Sequence, residues 1–212
     1  MKKKSIVMGI VGILATTAMV GAFVVHKQER NNNVDVSKLP IYAMKADFIY
    51  DTEDINENIG IVDYVFCGEV VSEDGVTYED VVVMEDEEGK AVEQGTPYTH
   101  YSVLVKENIK GELVKEETIK IAKHGGVTKD QKMILLFDED CLPEVGKQYI
   151  FLAYAQEDGS LLISGPNSNV IVSEKEEEVI AKYKEATKHE EIPVVRERFT
   201  SHYEHGNEKE RS

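Results

Sequence analysis

The chain runs to 212 residues, 42% hydrophobic and 30% charged, and its 24 Lys and Arg against 40 Asp and Glu give a formal charge of -16. That length holds one domain of ordinary size with appendages, and the acidity opposes nucleic-acid phosphates and anionic lipid. Two cysteines, with no Cys-x-x-Cys or Cys/His cluster, exclude a disulfide scaffold and a zinc ribbon.

Residues 1–4 form a basic tip, and residues 5–25 follow without a single charge, twenty-one in all. At the helical rise that run matches the ~30 Å of a hydrocarbon core. It exceeds the ~7 to 15 residues of a secretory apolar region, and Phe23, Val24 and Val25 carry it past the small-residue site at Val20-Gly21-Ala22. The expectation is an uncleaved transmembrane anchor. Lys2, Lys3 and Lys4 precede it, while Lys27 and Arg30 after it are offset by Glu29. The positive-inside bias therefore keeps the tip in the cytoplasm and the bulk of the chain outside the cell. The first thirty residues carry +4, which leaves -20 on the remainder of the -16 total.

Residues 26–50 read as a tether, polar coil over Gln28 to Ser37 and then Ile41, Met44, Phe48 and Ile49 at roughly helical spacing. An acidic turn region covers 51–60. Its Asp54, Asn56 and Asn58 have a calcium-loop spacing, but Gly60 falls one place late and Val65 stands where a bidentate Glu is required, so it reads as a solvated loop. The first strand is 61–72, with Gly68 at its middle where a barrel strand coils sharply. A second is 76–84, followed by a charged turn over 85–90 of the kind that guards a sheet edge and a short arm at 91–95.

The central strand lies within Thr96 to Gly111. Period-two alternation points Tyr101, Val103 and Val105 to one face and His100, Ser102 and Lys106 to the other. It ends at Asn108-Ile109-Lys110-Gly111, where Gly111 can take a positive φ and Ile109 can tuck under the turn. A short strand follows at 118–122, with Ile119 and Ile121 inward, ended by His124-Gly125-Gly126. Residues 133–137 are apolar and closed by Asp138-Glu139-Asp140; residues 148–154 are apolar on both faces, which implies burial on both sides. Glu157 to Ser160 is a hairpin turn into 161–164, and 170–172 is a last extended piece. Ser173 reads as the cap of a C-terminal helix over 173–188, with Glu174, Glu176 and Glu177 in its first turn and Val179, Ile180, Tyr183 and Ala186 as its buried stripe. Residues 189–212 form a charged tail in which Ile192-Pro193-Val194-Val195 could dock.

Several short β-runs in a chain of this length imply a closed small barrel. The fold class is thus mainly β: one transmembrane helix, a small barrel over 51–172, and a C-terminal α-helix. Four runs stand in one order: Val65-Phe66-Cys67-Gly68-Glu69-Val70-Val71, the central strand ending in Ile109-Lys110-Gly111, Ile119 to Gly126, and Val145 to Leu152. That order resembles the oligonucleotide/oligosaccharide-binding (OB) barrels of the netrin and TIMP-like type, and more closely those of uncharacterised exported proteins of Gram-positive bacteria. The resemblance spans roughly Ile61 to Val172. TIMP-like inhibitors chelate a target's zinc through an amino-terminal cysteine, and this chain has none near its start. What the resemblance implies is the barrel and not the inhibition.

For chemistry the histidines are few. His26 lies at the membrane, His100 on an exposed strand face, and His189, His202 and His205 in the tail, which leaves His124 as the one histidine in a loop beside the barrel. His202 and His205 supply two metal ligands at most, and Asp86 to Glu88 and Asp138 to Asp140 read as solvated charge rather than calcium ligands. No catalytic residue, metal ligand or cofactor site is assigned. Cys67 and Cys141 could pair in an exported protein, closing a loop worth about 4 to 5 kcal/mol, or could remain small buried hydrophobes. The function expected is an extracytoplasmic binding module for a protein, peptide or glycan. The alternative is a cell-envelope hydrolase with a metal-assisted site, which requires His124 to converge with Asp138, Asp140 or Glu144. Nucleic acid is not expected as a partner. Tyr98, Tyr101, Tyr149 and Tyr154 supply aromatic surface, but Lys106, Lys110, Lys120 and Lys123 are scattered among more numerous acids.

Overall fold

Strict alternation of apolar and polar residues can be satisfied only by a sheet with one face in a core, and the computed structural model closes that sheet on itself. It describes residues 35–85, 89–172 and 175–204. The basic tip, the anchor at 5–25, the tether to residue 34, the Asp86 to Glu88 cluster, Ser173 with Glu174, and the tail from His205 lie outside the described residues. Among the described residues no helix is long and apolar enough to cross a membrane.

The strands are β1 (Ile41–Met44), β2 (Tyr64–Glu85), β3 (Ala91–Lys110), β4 (Thr118–His124), β5 (Gly126–Val127), β6 (Ile134–Phe137), β7 (Gln148–Ala155), β8 (Leu161–Ile163) and β9 (Asn169–Ile171). The helices are α1 (Ile55–Ile61) and α2 (Glu176–Ala186). The main sheet runs β2-β3-β4-β8-β7, and β2 pairs back onto β7, so five strands close a small barrel compatible with an OB-like fold. The β4–β8 pair is parallel, while β2–β3, β3–β4, β7–β8 and β2–β7 are antiparallel. A three-stranded sheet, β1-β6-β5, lies beside it.

Two apolar clusters explain the patterns. Tyr101, Val103 and Val105 of β3, Ile119 and Ile121 of β4, and Tyr149, Phe151 and Ala153 of β7 fill the barrel. Ile150 and Leu152, on the opposite face of β7, pack with Val65 and Cys67 beneath α1 and α2, where Tyr183 and Ala186 are buried and Val179 and Ile180 partly so. Strand β7 is therefore covered on both sides, as its unbroken apolar run requires. Each such large side chain contributes about 1.5 to 3 kcal/mol on burial. Gly68 stands at a bulge, where a Cβ would lie 2.5 Å from a Val103 methyl. Gly111 takes its positive φ of 86°, and Ile109 packs on the second cluster.

Six elements differ from the sequence reading. The strands at 61–72 and 76–84 are one 22-residue strand, β2, and the arm at 91–95 is the start of the 20-residue β3. Bulges absorb the glycine and acid interruptions that look like breaks, with register shifts at Val70/Ser72, Glu73/Gly75 and Glu79/Val82. Ile41 to Met44 is a strand parallel to β6, not a helical turn; pairing partners outweigh spacing in so short a piece. The 51–60 region is not a solvated loop but holds α1. Asp54 accepts hydrogen bonds from the backbone N–H groups of Asn56 and Glu57, and the buried Asn58 amide donates to Thr52 O and Asp54 O at 2.7 Å. Helix α2 begins only after Lys175, which makes no side-chain cap. Finally, the tail docks as a strap as far as residue 204. Asp63 takes Arg196 at 2.5 Å and Arg198 at 3.1 Å, Phe199 and Tyr203 pack against the barrel core, and Tyr64 donates to Glu204 at 2.6 Å.

Candidate functional site

Alternation on β3 turns His100 and Ser102 outward, as the sequence implies, and register lines them up with their neighbours. Ser72 of β2, Ser102 of β3 and Lys120 of β4 are directly opposite one another across three strands. Such partners share a face. Asp74 draws the row together: its carboxylate accepts from Ser72 Oγ and from Ser102 Oγ, both at 2.7 Å. Beside it His100 Nε2 and Thr77 Oγ1 are 2.8 Å apart. Burial works against the Asp74 charge, but the two hydroxyls with Lys120 hold its carboxyl below the usual range. Burial pushes the His100 imidazole down against the pull of Asp74, so it stays neutral at physiological pH. The result is a compact strip of hydroxyls, one carboxylate, one neutral imidazole and one ammonium, able to donate and accept hydrogen bonds but without a serine bonded to a histidine.

His124 is not in a loop. It is the last residue of β4, its ring stacked on Tyr98 at 5.0 Å and edge-on to Phe137 at 4.7 Å, with Nδ1 3.2 Å from Ser164 Oγ. Burial, helped by Lys123, pushes it down to about 4. The carboxylates required beside it are engaged elsewhere: Asp140 with Lys123, and Glu144 with Lys147 at 2.8 Å. Asp138 is exposed. Among the described residues no group of three His, Cys, Asp or Glu is arranged to hold a metal ion.

The sequence reading missed the pair Lys123–Asp140 altogether. Lys123 continues the inward series Ile119, Ile121, Lys123, and its side chain is 0% exposed against 2% for Asp140. The ammonium donates to Asp140 Oδ1 and to Ser168 Oγ at 2.7 Å. Asp140 Oδ1 also accepts from the backbone N–H of Cys141 at 2.8 Å, while Oδ2 is buried without a hydrogen-bond partner. Burial pushes Lys123 down and Asp140 up, each resisted by the other's charge. Asp140 is thus not part of a solvated acidic cluster. Period-two counting along β4 is the signal that could have found Lys123.

Both cysteines are free thiols: Cys67 is buried in the second cluster and Cys141 is exposed, its sulfur 3.3 Å from Asn169 Nδ2. Tyr101 and Tyr149 are core residues rather than a stacking surface, and Tyr98 and Tyr154 are half-buried beneath His124 and Arg196. Of the tail histidines, His202 sits against Gly159, and His205 lies outside the described residues. The chain matches no protein-family description and no curated protein.

Proposed function

We propose that the chain is a single-pass, membrane-anchored protein that holds its barrel outside the cell as a binding module for a protein, peptide or glycan. The observation that carries this reading is the strip Ser72-Asp74-Ser102-Lys120 with Thr77 and His100, a preorganised set of donors and acceptors on the outward strand face. That is the face small OB-type barrels use for ligands. The uncharged run at 5–25 and the charge bias around it support the anchor and its orientation. The reading involves no catalytic group, metal or cofactor, and no nucleic acid, since the body carries about twenty net negative charges against a polyanion.

A photo-crosslinking residue at Ala122, whose register partner is His100, tests it in the native membrane. A discrete adduct lost on Asp74→Asn supports the module; an adduct pattern indifferent to that change refutes the strip as the site. Protease added to wall-stripped cells should digest the body. Protection, or release of free body into the medium, would refute the location or the anchor respectively.

A further inference from the structure

Beyond the barrel, β2 and β3 continue as a two-stranded arm from Glu79 to Glu85 and from Ala91 to Thr96. An isolated ribbon of this kind gains little from its own hydrogen bonds. Its composition is nevertheless apolar at the surface: Val81 is 45% exposed, Val82 54%, Val83 70% and Met84 50%. Register assigns the faces. Val82 lies opposite Gln94 and Met84 opposite Val92, so Val82, Met84 and Val92 share one face; Val83 shares the other with Glu93. Glu93 is ion-paired to Lys129 of the β5–β6 turn on the Val83 face, while on the other face Val82 and Met84 are about half exposed and Val92 partly so.

The charge around this patch is one-sided. Glu79 and Asp80 stand at its barrel end, while Glu85 shares the opposite face with Val83, and Glu93 on that face is paired with Lys129. Burial, with a smaller push from the adjacent Asp80, raises the Glu79 carboxyl above its usual range. Two such arms laid together would place acid beside acid, which opposes a second copy of this chain as the occupant. Anionic lipid is opposed for the same reason. Bulges at Glu73/Gly75 and Glu79/Val82 interrupt the free edge of β2 and work against simple strand addition. What complements an apolar face with carboxylates at one end is a polypeptide with apolar side chains flanked by ammonium or guanidinium groups, and a methionine with branched aliphatics can adapt to varied partners of that kind.

We propose that the Val82-Met84-Val92 face of the β2–β3 arm, with Glu79 and Asp80 at its barrel end, docks a cationic amphipathic polypeptide segment. This rests on the reading of the chain as a binding module and adds a second surface, separate from the polar strip. The test uses the full chain in phosphatidylcholine nanodiscs and three fluorescent peptides: alternating Lys-Val, alternating Lys-Ser and alternating Glu-Val, eight residues each. The Lys-Val peptide should bind at least about tenfold more tightly than Lys-Ser, and Glu-Val should not bind. V82S/M84S/V92S, which alters exposed or half-exposed positions, should weaken Lys-Val binding about tenfold, and E79Q/D80N should weaken it and flatten its salt dependence. Asp74→Asn should leave peptide binding unchanged, so a failure of the strip and a failure of the arm read out separately. Equal binding of Lys-Val and Lys-Ser, retention of binding by V82S/M84S/V92S, equal binding to empty nanodiscs, or dimerisation of the chain abolished by V82S/M84S/V92S would each overturn the proposal.

Discussion

Asp140→Ala is the most informative single change in the barrel. It removes the counter-charge of an ammonium that is fully buried and whose remaining oxygen partners are Ser168 Oγ at 2.7 Å and Gly165 O at 3.4 Å. Breaking a buried pair in this way costs about 3 to 5 kcal/mol, because the stranded charge keeps its desolvation penalty. The lost acceptor for the Cys141 N–H adds about 1 kcal/mol. Lys123→Met leaves the carboxylate stranded instead and should cost a similar amount. The double variant Lys123→Met/Asp140→Asn strands no charge and keeps an acceptor for Cys141. It should lie within about 2 kcal/mol of the wild type, because replacing both ions is often neutral or stabilising. Urea unfolding can be followed by near-UV circular dichroism of the ten tyrosines, in a chain without tryptophan. With an m-value of about 2 kcal/mol per M, each single variant should lose about 2 M in midpoint, and the double variant should recover most of it. Single variants within about 1 kcal/mol of wild type, or a double variant as unstable as the two singles summed, would refute the argument that this pair is buried and mutually dependent.

His124 has an ordinary value of 6.5 and a folded value of about 4, so between those limits the unfolded chain binds a proton that the folded chain refuses. Its contribution is therefore complete above about pH 6.5 and is lost toward pH 4, up to about 3 kcal/mol; a stability profile no flatter in His124→Phe than in wild type would rule this out. In the strap, Asp63→Ala should cost about 3 kcal/mol and speed tryptic cleavage at Arg196 and Arg198, which otherwise converge on a carboxylate only 6% exposed; an unchanged cleavage rate would refute the docking of the tail. Burial pushes the Cys67 thiol up to about 11, so native protein prepared without reductant should react with a thiol reagent once, at Cys141, and twice after denaturation. Two unreactive sulfurs in denatured protein would establish the bond weighed from the sequence.

The sequence by itself determined what depends on local periodicity. Tyr101, Val103 and Val105 had to share a face because side chains alternate along a strand, and the two-faced apolar run of β7 had to be covered on both sides. The buried stripe of α2 followed from the helical period. Even the candidate strip was half legible, since His100 and Ser102 point away from the core by alternation alone. What only the tertiary structure decided is everything that joins residues distant in the chain. Register brought Ser72, Ser102 and Lys120 into one row, and bulges let β2 and β3 run on through residues that look like strand breaks. Lys123 became an interior residue because Asp140, seventeen positions away in the connection from β6 to β7, meets its buried ammonium. The tail became a strap because Asp63 needs cations where the barrel buries it. A charge is read locally as a mark of solvent, and only a partner supplied by the fold can offset the cost of taking that charge out of water.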